Sequence, residues 1–378
     1  VRNIGQINNP YNEGKLIDAC SIFGAMNIAG ERFSGENVIR AIANMHDRGN
    51  GQGGGISIYG LYPDYTEQYA FHIMFLSEKG QRETEAFLNE NFTLVHKERV
   101  PVKPVPAIVN PPLVWRYFLD VSHHQLEEQP ADDYVVGRVM TINTQLTDSF
   151  VFSSGKNMAV FKGVGYPEDI AEYFCIDQYE GYLWTAHGRF PTNTQGWWGG
   201  AHPFCILDWT VVHNGEISSY GINRRFLEQY GYICTMQTDT EVVAYAVDLL
   251  MRKHHLPLEL VAKILASPFW TDIERMPKKE KQQALALRQV YGSLLLNGPF
   301  AVIIAHHGEM IGLTDRIRLR PLTVGEKGDM LYISSEESAI RLISPELDNA
   351  WIPVGGEPII GRLRSASEEK VVGTVSIE

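Results

Sequence analysis

Four cysteines are the candidate nucleophiles of this chain. Cys175 and Cys205 both lie in Phe-Cys-Ile and Cys234 in Ile-Cys-Thr. In such settings a free cysteine is commonly a small buried hydrophobe. Cys20 differs: a polar stretch ends at Ala19, and Cys20-Ser21-Ile22-Phe23-Gly24 launches an apolar strand, which leaves the thiol at an exposed strand end. Were the chain cut between Ala19 and Cys20, the thiol would gain a neighbouring α-amino group of pKa about 7.7–8, able to act as its base. Further along come His187-Gly188-Arg189-Phe190-Pro191-Thr192, Ala201-His202-Pro203, His213-Asn214-Gly215-Glu216 and Thr238-Asp239-Thr240-Glu241. Singly, each has a plain explanation. Asn-Gly suits a tight turn, Thr238-Asp239 reads as a helix N-cap, and Arg189 could be a solvated rim charge. Together they are complementary. An arginine fork, an amide beside a glycine N–H, and a carboxylate can hold an amino acid's carboxylate, a developing oxyanion and an amino acid's ammonium.

Two other patterns carry less. Gly49-x-Gly51-x-x-Gly54 matches a dinucleotide fingerprint in letters only, since that motif needs a strand before it and a helix after it. Here the predicted helix precedes and the strand follows. The glycines are either a flexible loop or a backbone wall that a ligand can approach. The pairs His123-His124, His254-His255 and His306-His307 are adjacent in sequence, so their side chains diverge and offer no two-ligand face. No metal is expected.

The elements that must position these groups come in blocks. Val38, Ile39, Ile42 and Met45 predict a helix over Glu36 to Asp47. A strand from Tyr69, a helix to Asn91 and a strand from Phe92 predict a small inserted β-α-β lobe, closed by a connector holding Pro101, Pro104, Pro106, Pro111 and Pro112. Strand-like runs follow, including Tyr134 to Met140, Met158 to Phe161, Tyr182 to Ala186 and Cys205 to Val212. Helical runs then extend from Ile222 to Leu296, and strands return at Ala301, Met310, Met330 and Pro358. Strands and helices that do not alternate argue for packed antiparallel sheets with helical layers, not a doubly wound parallel sheet.

With 378 residues, 44% hydrophobic and 21% charged, the chain can bury a large core, which excludes a disordered protein. Its net charge of −12 argues against broad nucleic-acid binding. No apolar run reaches membrane-spanning length, and Val1 to Ala19 shows no secretory h-region. A cytoplasmic protein is expected.

The residues around Cys20, the Met45-to-Gly55 loop with Arg48-Gly49, His187 to Thr194, His213 to Glu216 and Thr238 to Glu241 resemble the class II glutamine amidotransferases. So do Ser153-Ser154-Gly155-Lys156, Thr314-Asp315-Arg316 and Arg320-Pro321-Leu322, which fit the glutamate synthase branch best. The resemblance implies an α+β fold, the αββα four-layer sandwich of N-terminal-nucleophile hydrolases. It divides the chain into a leader-like segment 1–19, an amidotransferase domain 20–364 with an insertion about 67–133, and a tail 365–378. It makes Cys20 the nucleophile that forms a γ-glutamyl thioester, with Asn214 and Gly215 as oxyanion hole. Arg189 would hold the α-carboxylate of L-glutamine and Asp239 its α-ammonium. Thr192 and His202 would shape the pocket, and Gly53 and Gly54 would supply backbone near the nucleophile. Ammonia would pass to a separate glutamate-synthase-type subunit. FMN and iron–sulfur clusters would belong to that partner, with no cofactor in this chain, and a hetero-oligomer is expected. The alternatives are the same chemistry feeding another acceptor, such as an N-methylglutamate synthase, a different amide hydrolase on the same fold, or a silent regulatory subunit whose leader blocks Cys20.

Overall fold

The computed structural model describes residues 19–190, 196–236 and 238–364. Ser21–Asn27 is buried at all seven positions. A strand with one wet face would alternate, so both faces of this one must be covered. It lies antiparallel between Leu183–Gly188 and Met330–Ser334. The sheet around it has seven strands, in the order Asn349–Trp351, Thr323–Lys327, Met330–Ser334, Ser21–Asn27, Leu183–Gly188, Gly54–Tyr59, Met158–Gly163. A second antiparallel sheet runs Phe204–Ile206, Trp209–Gly215, Phe300–His306, Glu309–Thr314, Ile359–Arg362. The two stack face to face, and glycine sets how closely. A Cβ on Gly24 would come within 2.8 Å of Met310 Sδ and 3.3 Å of Ile303 Cγ2.

Helices cover both outer faces. Glu36–Ala43 buries Val38, Ala41 and Ile42 against the seven-stranded sheet, beside Pro167–Tyr173 and Glu337–Ile343. On the far side, Thr240–Val247 is buried at every residue, as a helix enclosed on all sides must be. It packs on Phe204–Ile206 and Trp209–Gly215, with Tyr220–Glu228 beside it. The architecture is therefore the expected α+β, helix–sheet–sheet–helix sandwich.

The inserted lobe is larger than its sequence suggests. Tyr69–Phe75, Glu78–Asn91, Thr93–Arg99, Leu113–Asp120, Ala131–Gln145 and Ser149–Ser153 form one βαββαβ unit. Its sheet order is Thr93–Arg99, Leu113–Asp120, Tyr69–Phe75, Ser149–Ser153, all antiparallel, a ferredoxin-like arrangement. The proline-rich connector lies inside this unit instead of closing it. Tyr134 to Met140, expected as a strand, is helical. Its three valines look like a strand. However, Val135, Val136, Val139, Met140 and Ile142 share a buried helical face, and Pro130 with Asp132 and Asp133 starts the helix.

Candidate active site

Cys20 and Arg189 meet because Ser21 pairs with Gly188, so each flanks the same end of two adjacent central strands. Cys20 is half-buried, and its Sγ accepts the Phe190 N–H at 3.3 Å. Its own carbonyl accepts from Arg48 Nε at 3.3 Å, while Arg48 Nη1 reaches Glu336 Oε1 at 2.9 Å. Arg48 therefore fixes the backbone that carries the thiol. Arg189 is nearly buried, and its N–H donates to Gly53 O at 2.8 Å. A Cβ on Gly53 would sit 3.0 Å from Arg189 Cδ, so this glycine is the wall against which the guanidinium stem lies. Gly54 does something else. It pairs with Gly188, and its close neighbour is the Pro167 backbone, 2.6 Å from an added Cβ.

Burial pushes the Cys20 thiol above its ordinary value. The Phe190 N–H and Arg189 oppose this, Asp239 adds to it, and Arg320 opposes it. In this form the thiol is mostly protonated at neutral pH. Its alkylation by iodoacetamide should therefore climb with pH and level off only above the ordinary thiol range, near 8.5. A plateau already reached at pH 7 would contradict that environment. Arg189→Ala should shift the profile further up, and Asp239→Asn should shift it down.

Asn214 and Gly215 end the strand Trp209–Gly215, opposite Ala301 and Phe300. Asn214 is fully buried, and among the described residues neither its Oδ1 nor its Nδ2 has a hydrogen-bond partner. Such an orphaned amide needs an explanation. Gly215 has φ +147°, and a Cβ there would lie 2.0 Å from Pro299 O. Asn-Gly is thus a strand terminus built for glycine, not a hairpin turn.

Asp239 occupies the N-cap position of Thr240–Val247 but makes no side-chain cap bond. Thr238 takes over part of that duty, accepting the Thr240 N–H at 3.3 Å. The Asp239 carboxylate turns instead to the Ile217 N–H, at 2.8 Å, and to His213 Nδ1, at 3.5 Å. Burial tends to raise its pKa, but His213, the Ile217 N–H and Thr240 together bring it below the usual value, so it is anionic. Its charge is felt by both Cys20 and Arg189.

His202 is buried among polar side chains. Its Nδ1 is 3.2 Å from His187 Nε2, and its Nε2 is 3.3 Å from Thr238 Oγ1. His187 Nε2 also reaches His213 O at 3.0 Å, and His213 Nδ1 is 3.1 Å from Thr240 Oγ1. Burial keeps His187, at about 3, and His202 neutral. Sequence reasoning did not single out His187, His213 or Arg48 as site residues, although a histidine closing the apolar run Leu183 to Ala186 is a signal. Lys162 was missed too. Its buried Nζ donates to Gly199 O at 3.0 Å, 4.3 Å over the Phe204 ring, with its pKa brought down by burial to about 7. It anchors the segment that leads to His202. Thr192 lies outside the described residues. The paired histidines are dispersed: His306 meets Asp208, His307 meets Tyr182 and His254 meets Tyr291.

Comparison with known proteins shows the family of the chain. The family model of class II glutamine amidotransferases matches residues 63–348, and the chain belongs to that family. The matched stretch includes Arg189, His202, Asn214, Gly215 and Asp239, while Cys20 precedes it. An uncharacterized protein of Archaeoglobus fulgidus is 58% identical over 355 residues, 93% of this chain and 94% of its own length. The amidophosphoribosyltransferase of Methanocaldococcus jannaschii is 26% identical over 51% of this chain, which spans only 36% of it. A solved glutamine phosphoribosylpyrophosphate amidotransferase from B. subtilis aligns over 91% of this chain and 47% of its own, at 17% identity and a TM-score of 0.46. No helix among the described residues is long and apolar enough to cross a membrane.

Proposed function

We propose that this chain is the glutaminase component of a glutamate-synthase-type assembly, with Cys20 as its nucleophile. The observation that carries the chemistry is Asn214, a buried amide with no partner among the described residues, beside a glycine whose φ is +147°. An amide left unpaired in the resting protein is what an oxyanion hole requires.

The residues divide the work as follows. Sγ of Cys20 attacks the side-chain amide carbon of L-glutamine, and the oxygen becomes an oxyanion held by Asn214 Nδ2 and the Gly215 N–H. The thiol proton passes to the amide nitrogen, the C–N bond breaks and ammonia leaves, and water then cleaves the γ-glutamyl thioester to glutamate and regenerates the thiol. Arg189 holds the α-carboxylate and Asp239 the α-ammonium. His213 and the Ile217 N–H keep Asp239 anionic and aimed. The thiol's hydrogen-bond partner at 3.3 Å is the Phe190 N–H, which is not a base. Cleavage between Ala19 and Cys20 would supply one as the new α-amine. His202 shapes the site from below, through His187 and Thr238, and Thr192 is assigned to the pocket from its motif.

Arg189→Ala removes a charge-assisted fork worth about 1.5–3 kcal/mol. The KM for glutamine should rise about ten- to hundredfold with a smaller change in kcat. An unchanged KM would remove Arg189 from substrate binding.

The acceptor reading rests on the glutamate-synthase likeness of Ser153 to Lys156 and Thr314 to Leu322. The partner is a separate FMN- and iron–sulfur-containing synthase polypeptide, which consumes the ammonia. Its test is glutamine-driven glutamate formation when the two purified polypeptides are mixed. Glutamine hydrolysis without that coupling would point to another acceptor, such as an N-methylglutamate synthase. No hydrolysis at all would point to a silent regulatory subunit.

A further inference from the structure

Six exposed apolar side chains come from three segments that are tied together. Trp270, Ile317, Leu319, Ile352 and Val354 are 55% to 62% exposed, and Phe269 is 39% exposed. Arg316 lies 4.2 Å over the Phe269 ring and donates to Ser267 O at 3.2 Å. Arg318 donates to Pro353 O at 3.0 Å. Arg288 lies 4.0 Å over the Trp270 ring. The result is one apolar surface with a basic rim, on a chain whose net charge is −12.

The turn that presents Ile317 and Leu319 is pinned. The Asp315 carboxylate accepts three backbone N–H groups, those of Phe300 at 3.2 Å, Ile317 at 3.1 Å and Leu319 at 2.9 Å. Arg318 is held at φ +53°, a conformation that residues other than glycine seldom adopt. A fixed turn that holds two large aliphatic side chains in water marks an interaction site more often than a chance exposure.

Its position says with what. Phe300, which receives the Asp315 N–H through its carbonyl, is the residue opposite Gly215. Arg316 also reaches Asn297 Oδ1 at 3.3 Å, and Asn297 O accepts the Ser218 N–H. Arg320, one residue beyond Leu319, is close enough for its charge to act on the Cys20 thiol. The patch therefore borders the catalytic residues.

We propose that the surface formed by Ile317, Leu319, Val354 and Ile352 with Phe269 and Trp270 is where the ammonia-consuming polypeptide docks, through an apolar face rimmed by carboxylates. This rests on the functional reading above and locates its partner. Ammonia released beside Gly215 stays unprotonated only if its exit is sealed from water, and an apolar collar beside the site does that. The basic rim selects an acidic counterpart. A second copy of this chain fits poorly, because a two-fold contact would set Arg316 and Arg318 against arginines of the same patch.

The test uses the full chain and the purified flavin-containing synthase polypeptide of the same organism. Association is read by sedimentation velocity, and glutamine-driven synthesis is compared with ammonium-driven synthesis. Ile317→Glu/Leu319→Glu and, separately, Val354→Glu should weaken association at least tenfold and lower glutamine-driven synthesis in step. Glutaminase activity and ammonium-driven synthesis should not change. Val109→Glu, at an exposed position on the proline-rich connector, should behave as the unaltered chain. Variants that associate normally would overturn the surface and leave the partner standing. An unaltered chain that hydrolyses glutamine yet never associates would overturn the partner and the surface together. Loss of self-association alone would assign the face to a second copy and overturn the proposal.

Discussion

Cys20→Ala is expected to abolish glutamine hydrolysis, a loss on the order of 10⁶ in kcat, the scale seen when an enzyme loses its covalent nucleophile. Folding should change little, because the substitution removes one hydrogen bond, from the Phe190 N–H, and leaves the Arg48 bond to the Cys20 carbonyl in place. The other thiols provide the contrast. Cys205 donates to Leu207 O at 3.0 Å, and burial pushes its thiol up to about 12, so it is a protonated structural donor. Cys234 is likewise pushed up by burial. Alanine at Cys175, Cys205 or Cys234 should leave kcat within a few-fold while Cys205→Ala lowers stability. Activity that survives Cys20→Ala, measured as glutamate released, would remove the nucleophile assignment.

Asn214→Ala should lower kcat by about 10²–10³, equivalent to ~2.7–4 kcal/mol of barrier, with KM nearly unchanged. The structural argument is the unused amide. Since neither polar atom of Asn214 bonds to another described residue, its removal breaks no internal hydrogen bond there. The urea midpoint should therefore fall far less than a typical buried polar truncation would suggest. A large loss of stability with little loss of kcat would make Asn214 a structural residue. Gly215→Ala separates the neighbouring effects. Its Cβ would collide with Pro299 O, so the chain should be destabilised as well as inactive.

The sandwich was legible because its central strands are buried on both faces and read as unbroken apolar runs, as Ala301 to Ala305 does. The lobe was legible only in its first half. Proline in its connector marks a break in helix but not the end of a unit, and a valine-rich stretch such as Val135 to Val139 satisfies strand and helix alike over so short a length. In the site, residue types were readable but local roles misled. Thr238-Asp239 has the letters of an N-cap, yet Thr238 takes that position's bond and leaves the carboxylate for Ile217 and His213. Asn214-Gly215 has the letters of a hairpin turn, yet a φ of +147° against Pro299 makes it a strand end. The His187–His202–His213 contacts join two sheets, and no spacing along the chain encodes a contact between sheets.

The most direct test of Cys20 as an N-terminal nucleophile is the intact mass of the purified chain before and after 6-diazo-5-oxo-norleucine. The proposed chemistry predicts a chain that begins at Cys20, gains a single adduct mapped to that residue, and loses glutaminase activity in proportion. A chain that keeps residues 1–19 and takes up no adduct, or one modified at Cys175, Cys205 or Cys234 instead, would contradict it.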